Sequence, residues 1–442
     1  MILLCYNQNI RKGFKGGIKM ERIEIKKLGP IEQCTLEIND FMVFTGPQAS
    51  GKSTIAKSIF FFKNLKTMLW KEISKKNLTD NENASLTVKQ RFLKEIRSTF
   101  LQTFGSTWCM DNQMSIRYWY TDDTYIRISL RKDFELPNYI WIDMNKDLSD
   151  FLKSFDHKLI TDIQETKKEI YDFFQDDMEV IYIPAGRNMM TLFSSQLMYW
   201  YSMMDDEQKR SLDYCTQSYL EKILEMKTFF SNNDIKSIII HEMMSSRGKN
   251  TDNLLKCSYL MENILNGQYQ NIDGEERLEI KNGKYVKINF ASSGQQEAMW
   301  ILNVIFYYLV NNKKMYFIIE EPESHLFPNA QKLITEYISL AKNNGSKVLL
   351  TTHSPYILGT INNLLYANKI SSKVNQKQLK EIIDVKEWVA FNKFAAYYLE
   401  NGAVNPCVDE EFESINNEVI DDVSDVINED FDKMVSLKMY ED

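Results

Sequence analysis

From Arg22 onward the apolar positions alternate. RIEIKKL (22–28) and CTLEIND (34–40) flank a Gly29-Pro30 turn, and FMVFTG (41–46) runs unbroken into a glycine. Alternation with period two predicts half-buried strands; the unbroken run predicts a strand covered on both faces. Residues 53–70 switch to a continuous apolar helix without a breaker, and 71–110 stay mostly helical and charged. Short alternating runs return in MSIRYWY, TYIRISLRK and NYIWIDM (between 114 and 144). Helix returns over 148–177, then MEVIYIPAG (178–186), a buried-type strand ending in a turn. Residues 188–266 read as helical, rich in Met and aromatics, without the sustained heptad of a coiled-coil arm. Their methionines (Met189, Met190, Met198, Met203, Met204) read first as core filler.

RLEIKNGKYVKI (277–288) signals a hairpin, because Asn282-Gly283 suits a type I′ turn. After it come a Ser-Ser-Gly turn, an apolar helix over 295–310, the strand MYFII, a helix over 329–342 and the strand KVLLTT ending at His353. Strand and helix in alternation imply an α/β fold with a mostly parallel sheet and helices on its faces. The expected organisation is one core in two halves, 20–70 and 271–370. Between them lies a mainly helical insertion, 71–270, with a small β-rich part, and an acidic helical tail occupies 371–442.

Composition narrows the classes. With 442 residues and 44% apolar content the chain can bury a substantial core. No window of 18 apolar residues exists, which excludes a spanning helix and with it helical channels and transporters. Net charge is −8, but residues 408–442 hold 13 acidic residues against two lysines, leaving the body at about +3. The body leaves a local nucleic-acid patch open; the tail would repel nucleic acid and suits either solvent or a basic partner. Val419, Ile420, Val423, Ile427, Phe431 and Val435 give the tail a helical apolar stripe that packs on its own core or on another protein. Six scattered cysteines without a CxxC pair, and only four histidines, argue against structural zinc and for a reduced, cytoplasmic protein with buried thiols. His157 and His241 read as surface residues and His325 as part of a turn. Residues 1–19 lack the pattern of a secretion signal and are set aside, Met20 opening the better-patterned segment.

Chemistry enters at Gly46-Pro47-Gln48-Ala49-Ser50-Gly51-Lys52-Ser53, which fits GxxxxGK[ST] between a strand and a helix. In that setting backbone N–H groups of 48–53 curl around phosphates, and the helix N-terminus adds partial positive charge. Gly46 and Gly51 permit the tight curve. Lys52 is suited to the β- and γ-phosphates, Ser53 to Mg²⁺, and Thr54 continues the contact into the helix. The reading is ATP with Mg²⁺.

A second cluster closes MYFII with Glu320 and Glu321 at a strand's C-terminal end, where open α/β sheets bind ligands. Successive residues there point apart, so Glu320 faces the Mg²⁺ shell and Glu321 a water near the γ-phosphate. Alone, such a pair is as often a solvated strand cap; coupled to a phosphate loop it reads as a Walker B motif. Ser292-Ser293-Gly294-Gln295 precedes this strand; read alone it is a helix cap. His353, at the next strand's end, reads as a γ-phosphate switch. Arg187 is a further lining candidate without an assigned role.

IEIKKLGPI, GPQASGKSTIAK, YIPAGR, SSGQQE, IIEEPESHLFP and TTHSPYIL, in this order, resemble the ABC-type ATPase head, and more closely the bacterial "AAA family" ATPases of the OLD-like and Septu-like anti-phage defence group. The resemblance covers about 20–65, 178–200 and 285–370. It implies ATP held between two heads of a homodimer or higher oligomer, with Ser292 and Gly294, the signature turn, acting on the partner's nucleotide. It departs in placing Glu320 where ABC proteins usually have Asp. Nor is there a clear Q-loop glutamine: Gln48 lies inside the phosphate loop, and Gln196 is the candidate left.

Only 89 residues lie beyond His353, so the expectation is an ATPase without its own Toprim nuclease domain. The resemblance then implies a defence ATPase controlling a separately encoded nuclease or toxin effector. Two other readings stand beside it. One is a nucleotide-gated scaffold that restrains a toxic effector with little turnover; the other is a RecF-like repair ATPase clamping DNA.

Overall fold

The computed structural model describes residues 21–75, 86–131, 139–156, 158, 160, 162–192, 196–231, 233–244, 251–280, 283–416 and 434. β1 (Arg22–Leu28) turns through Gly29 and Pro30 into β2 (Ile31–Glu37), and β3 (Phe41–Thr45) leaves this pair for a different sheet. β4 (Ser115–Trp119), β5 (Tyr125–Arg131) and β6 (Tyr139–Met144) join β1 to give a five-stranded antiparallel sheet in the order β2-β1-β4-β5-β6. The β-rich stretch expected inside an insertion therefore extends the N-terminal sheet. Ile23 faces Tyr118 and Ile25 faces Ile116 across the β1–β4 pair, so one register buries both apolar rows.

β7 (Glu179–Ile183) lies within the expected insertion, yet it is a strand of the central sheet. β8 (Gln268–Ile272), β9 (Glu275–Glu279) and β10 (Tyr285–Lys287) form a small separate sheet; β9 and β10 pair as the expected hairpin, although Asn282 lies outside the described residues. β11 (Met315–Glu320), β12 (Lys347–Thr351), β13 (Phe394–Glu400) and β14 (Ala403–Pro406) complete the central sheet, ordered β14-β13-β3-β12-β11-β7. All its pairings are parallel except β13–β14.

The segment expected as a helical tail thus contributes two core strands. Residues 408–409 and 414–415 pair as a further short ladder, and the expected helicity over 371–416 is represented by the α-helix Gln376–Ile382 and the short 3-10 turns Val385–Glu387 and Phe391–Lys393. The stripe from Val419 to Val435 lies outside the described residues.

Alternate residues of the central strands enter two cores. Phe41, Val43, Phe317, Ile319, Val348 and Leu350 pack with the helices Tyr214–Phe230, Thr251–Leu265, Ser293–Val310, Pro328–Asn343 and Pro355–Ile370. Met42, Phe44, Tyr316, Ile318 and Leu349 pack with the helix Lys52–Lys75 and the antiparallel sheet. A sheet covered on both faces needs apolar residues at every position, which is why these strands read as unbroken runs. Met189 and Met203 are exposed and Met190 is buried, so the methionines of 188–204 are not uniformly core. Cys34, Cys215, Cys257 and Cys407 are buried; Cys109 is exposed, against the expectation of buried thiols. Among the described residues, no helix is long and apolar enough to cross a membrane.

Candidate nucleotide site

Register aligns the strand ends. Ile319 lies beside Ile183, Glu320 beside Thr351, Thr351 beside Phe44, and Phe44 beside Tyr397. The residues just past each strand therefore sit on one edge: 184–187 after β7, Glu321 after β11, Thr352 and His353 after β12, and Gly46 after β3. This is the edge where parallel sheets place ligands.

The loop 46–53 curls between β3 and the helix Lys52–Lys75. Gly46 has φ 132°, and a Cβ there would lie 2.2 Å from the Leu399 carbonyl oxygen. Gly51 has φ 103°, and its Cβ would meet Ile31 Cδ1 at 2.4 Å. Both glycines are thus required twice, by backbone conformation and by close approach. Gln48 and Ala49 are exposed at the crest, Ala49 with φ 59°, while Ser50 is buried. Lys52 Nζ donates to the carbonyls of Gly46 (2.8 Å) and Pro47 (2.7 Å) and to Ser50 Oγ (3.3 Å). Burial pushes its pKa below the ordinary lysine value, opposed by Glu321, Glu323 and Glu320. An ammonium held by carbonyls over the loop's concave side is placed to exchange them for phosphate oxygens. Ser53 is exposed at the helix start and Thr54 half-buried.

Glu320 is buried; Oε2 accepts from Ala185 N at 3.4 Å, and Oε1 has no hydrogen-bond partner among the described residues. Such an orphaned carboxylate oxygen near the start of the phosphate-loop helix fits a hard, oxygen-seeking cation such as Mg²⁺. Glu321 has φ 42° and lies 3.5 Å from His353 Nε2 through Oε1. The imidazole, by hydrogen bonding, holds its carboxyl below the usual range. Its neighbour Glu323 behaves oppositely: burial raises its pKa although Thr352 Oγ1 and His353 N both donate to Oε1 at 2.7 Å. Sequence reasoning passed over Glu323, which positions the histidine's backbone; the signal available was a third acidic residue in EEPE.

Arg187 does not line the site. It is fully buried and donates to the carbonyls of Pro184 (2.6 Å), Glu320 (2.7 Å), Glu321 (3.1 Å) and Glu297 (3.3 Å). Glu297 answers by accepting from the backbone N–H groups of Arg187 (3.0 Å) and Asn188 (3.1 Å). The helix Ser293–Val310 is thereby fastened to the end of β11. Sequence reasoning gave Glu297 no role; the signal was the one charged residue of the helix Ser293–Val310.

Ser292 caps this helix: Gln295 N donates to its hydroxyl at 3.4 Å, and the hydroxyl donates to Gln295 Oε1 at 3.0 Å. Ser292 is exposed, whereas Gly294 is buried under His325, whose carbonyl oxygen would lie 2.5 Å from an added Cβ. His325, with φ 59°, shapes that turn as expected. Among the described residues no hydrogen bond joins Ser292 or Gly294 to the loop 46–53. Gln196 is exposed, its carbonyl accepts from Trp200 N (2.9 Å), and among the described residues no hydrogen bond joins it to the loop. His241 is exposed, as read from sequence, and His157 lies outside the described residues.

A phosphate loop after a central strand of a mostly parallel sheet, with a histidine after the neighbouring strand β12 and paired carboxylates at the end of the next, β11, defines the ABC-type P-loop ATPase head. Residues 19–189 and 201–358 match the family described as AAA ATPase domain, and the chain belongs to that family. Among solved structures it is similar to an Smc head bound to the C-terminal winged-helix domain of ScpA (11% identity, TM-score 0.39, covering 88% of this chain and 96% of that one). An SMC head domain from Thermotoga maritima shows 8% identity and TM-score 0.37, covering 88% and 98%. An Smc head with extended coiled coil bound to the C-terminal domain of ScpA, from Pyrococcus furiosus, shows 12% and 0.39, covering 93% and 99%. No curated protein matches the chain.

Proposed function

We propose that the chain binds ATP with Mg²⁺ at residues 46–54 and hydrolyses it. Backbone N–H groups of Gly46, Gln48, Ala49, Ser50, Gly51 and Thr54 cradle the phosphates with Lys52; Ser53 and Glu320 hold the metal. Glu321 orients the attacking water and His353 senses the γ-phosphate. The observation that carries this reading is the convergence of Lys52, Glu320 and the Glu321–His353 pair on one edge of the sheet. The exposed Ser292 and the buried Gly294, neither of them hydrogen-bonded to its own loop among the described residues, act on the nucleotide of a second copy, so that the working unit is a dimer or higher oligomer. We further read the chain as a cytoplasmic defence ATPase that controls a separately encoded nuclease or toxin effector. Support for that step is the motif resemblance alone. Residues 21–415 form one catalytic unit in this reading, rather than a core, an insertion and a tail.

Phosphate release by the purified chain with ATP and Mg²⁺, with and without DNA, tests the proposal. Turnover that disappears in Lys52→Ala supports it. ATP binding without any turnover would favour a nucleotide-gated scaffold, and strictly DNA-dependent turnover a repair role.

A further inference from the structure

Beside the phosphate loop lies an open cleft of about 680 Å³. One wall is the start of the helix Lys52–Lys75, through Ser53, Thr54 and Lys57. A second is the turn between β1 and β2, which meets that helix closely: an added Cβ at Gly29 would lie 3.3 Å from Thr54 Oγ1. The third is the segment leaving the helix Val88–Phe104, with Phe104, Trp108, Cys109 and Asp111.

This third wall is anchored at both ends. Phe104 roots the helix end in the core, its ring centre 4.9 Å from that of Phe100 and 6.1 Å from that of Phe61. Gly105, with φ 85°, stops the helix and donates its N–H to the Leu101 carbonyl at 2.8 Å. Ser106 then caps the short turn Thr107–Cys109, its hydroxyl accepting from Trp108 N at 3.3 Å and its carbonyl from Cys109 N at 3.2 Å. Beyond the turn, Asp111 accepts from Gln113 N (2.7 Å) and Met114 N (3.0 Å) and leads the chain into β4. Trp108 stands on this turn 76% exposed, and among the described residues its indole meets no other ring, no cation and no hydrogen-bond partner.

A single exposed indole is an ordinary surface feature; the position of this one carries the argument. The paired carboxylates and His353 follow β11 and β12 and do not border the cleft. A triphosphate that turns its terminal phosphate toward them carries its nucleoside away from them. Ser53 and Thr54 end the phosphate loop and also wall the cleft, which makes the cleft the continuation of that path. Its lysines are already paired, Lys57 with Asp213 at 2.9 Å and Lys27 with Glu32, so it offers an aromatic face rather than a second phosphate site. Its volume lies within the ordinary range for small-molecule sites.

We infer that this cleft takes the base and ribose of the bound nucleotide, with Trp108 stacking on the base. The inference rests on the phosphate-loop reading above and adds to it a residue outside every motif. Every base has a π face, so the ring sets affinity for the nucleoside without choosing among bases.

The test is calorimetric titration of the whole chain with ATP and with inorganic tripolyphosphate, each with Mg²⁺. Trp108→Ala should weaken ATP about 5- to 150-fold and leave tripolyphosphate binding and melting temperature unchanged; Trp108→Phe should retain most of the ATP affinity. Lys52→Ala should weaken both ligands. A second readout is the exposed Cys109 thiol on the same wall: ATP should slow its alkylation by N-ethylmaleimide, followed by the mass of its peptide, and tripolyphosphate should not. Trp108→Ala protein that binds ATP as tightly as wild type, or that loses both ligands equally, would overturn the inference and leave the phosphate loop standing. So would tripolyphosphate that protects Cys109 as fully as ATP does. Wild-type protein that binds neither ligand would remove the phosphate-loop reading and this inference with it.

Discussion

Arg187 and Glu297, 110 residues apart in sequence, form a fully buried ion pair with Nε 3.1 Å from Oε2. The same guanidinium holds the carbonyls of Glu320 and Glu321. Tilting the helix Ser293–Val310 would therefore drag on the backbone that aims both glutamates.

Breaking this pair should cost more than a surface change. Glu297→Ala leaves a buried guanidinium uncompensated, worth about 3–5 kcal/mol in urea unfolding. Arg187→Lys should not rescue function, because an ammonium cannot fork to several carbonyls at once. In any variant that still folds, ATP turnover should fall much further than ATP affinity; an equal loss of both would argue that the pair only stabilises the fold.

Lys52→Ala and Glu321→Gln should separate binding from turnover. The first removes the charge facing the phosphates and should weaken a labelled ATP analogue by about tenfold or more. The second keeps the shape of the site and should leave binding intact while slowing phosphate release by about 10²- to 10⁴-fold. Unaltered steady-state release from Glu321→Gln would remove it from the proposed role.

A shared site can be tested by mixing. Ser292→Arg should bind ATP yet hydrolyse it poorly, since Ser292 acts on the other copy. Combined with Glu321→Gln, it should regain activity above either variant alone, because a mixed dimer gathers both defects in one interface and frees the other. If titrating one variant into the other never raises phosphate release, the two-copy site is wrong.

Glu323 should give stability a distinct pH slope. Burial raises its pKa above the ordinary 4.5, so between those values the folded chain keeps a proton that the unfolded chain has released. Its contribution to stability therefore falls as pH rises through that window. Glu323→Gln keeps an oxygen for Thr352 and His353 but cannot ionise. Its stability relative to wild type should climb from pH 4.5 upward and level off above the raised value, read from urea melts across that range. Parallel curves for the two proteins would contradict this. Glu321 acts in the opposite sense: His353 depresses its pKa, so the stability it adds is present above 4.5 and is lost as pH falls through the lower, folded value.

The features legible in the sequence were local ones. The loop 46–53 and the runs of β3, β7, β11 and β12 declare themselves because both faces are buried. β13 does not: FAAYYLE alternates weakly, and its partner β3 lies some 350 residues earlier. Averaging charge over 408–442 then coloured everything after residue 370 as tail. The alternation of β4 to β6 was legible, but not that β1 would be their neighbour, since an antiparallel edge accepts any strand of matching pattern. Arg187 was visible as a residue after a glycine. Its role was not, because most of its partners are backbone carbonyls, which leave no trace in side-chain identity.

The position of β3 also governs when the protein can come into being. The strands that flank it, β12 and β13, leave the ribosome roughly 300 and 350 residues after it, an interval of about 15 to 70 seconds at ordinary elongation rates. Throughout that time the motif GPQASGKS exists without the Leu399 carbonyl against which Gly46 closes. The phosphate loop of a nascent chain therefore cannot close against its final neighbour until β13 has been made.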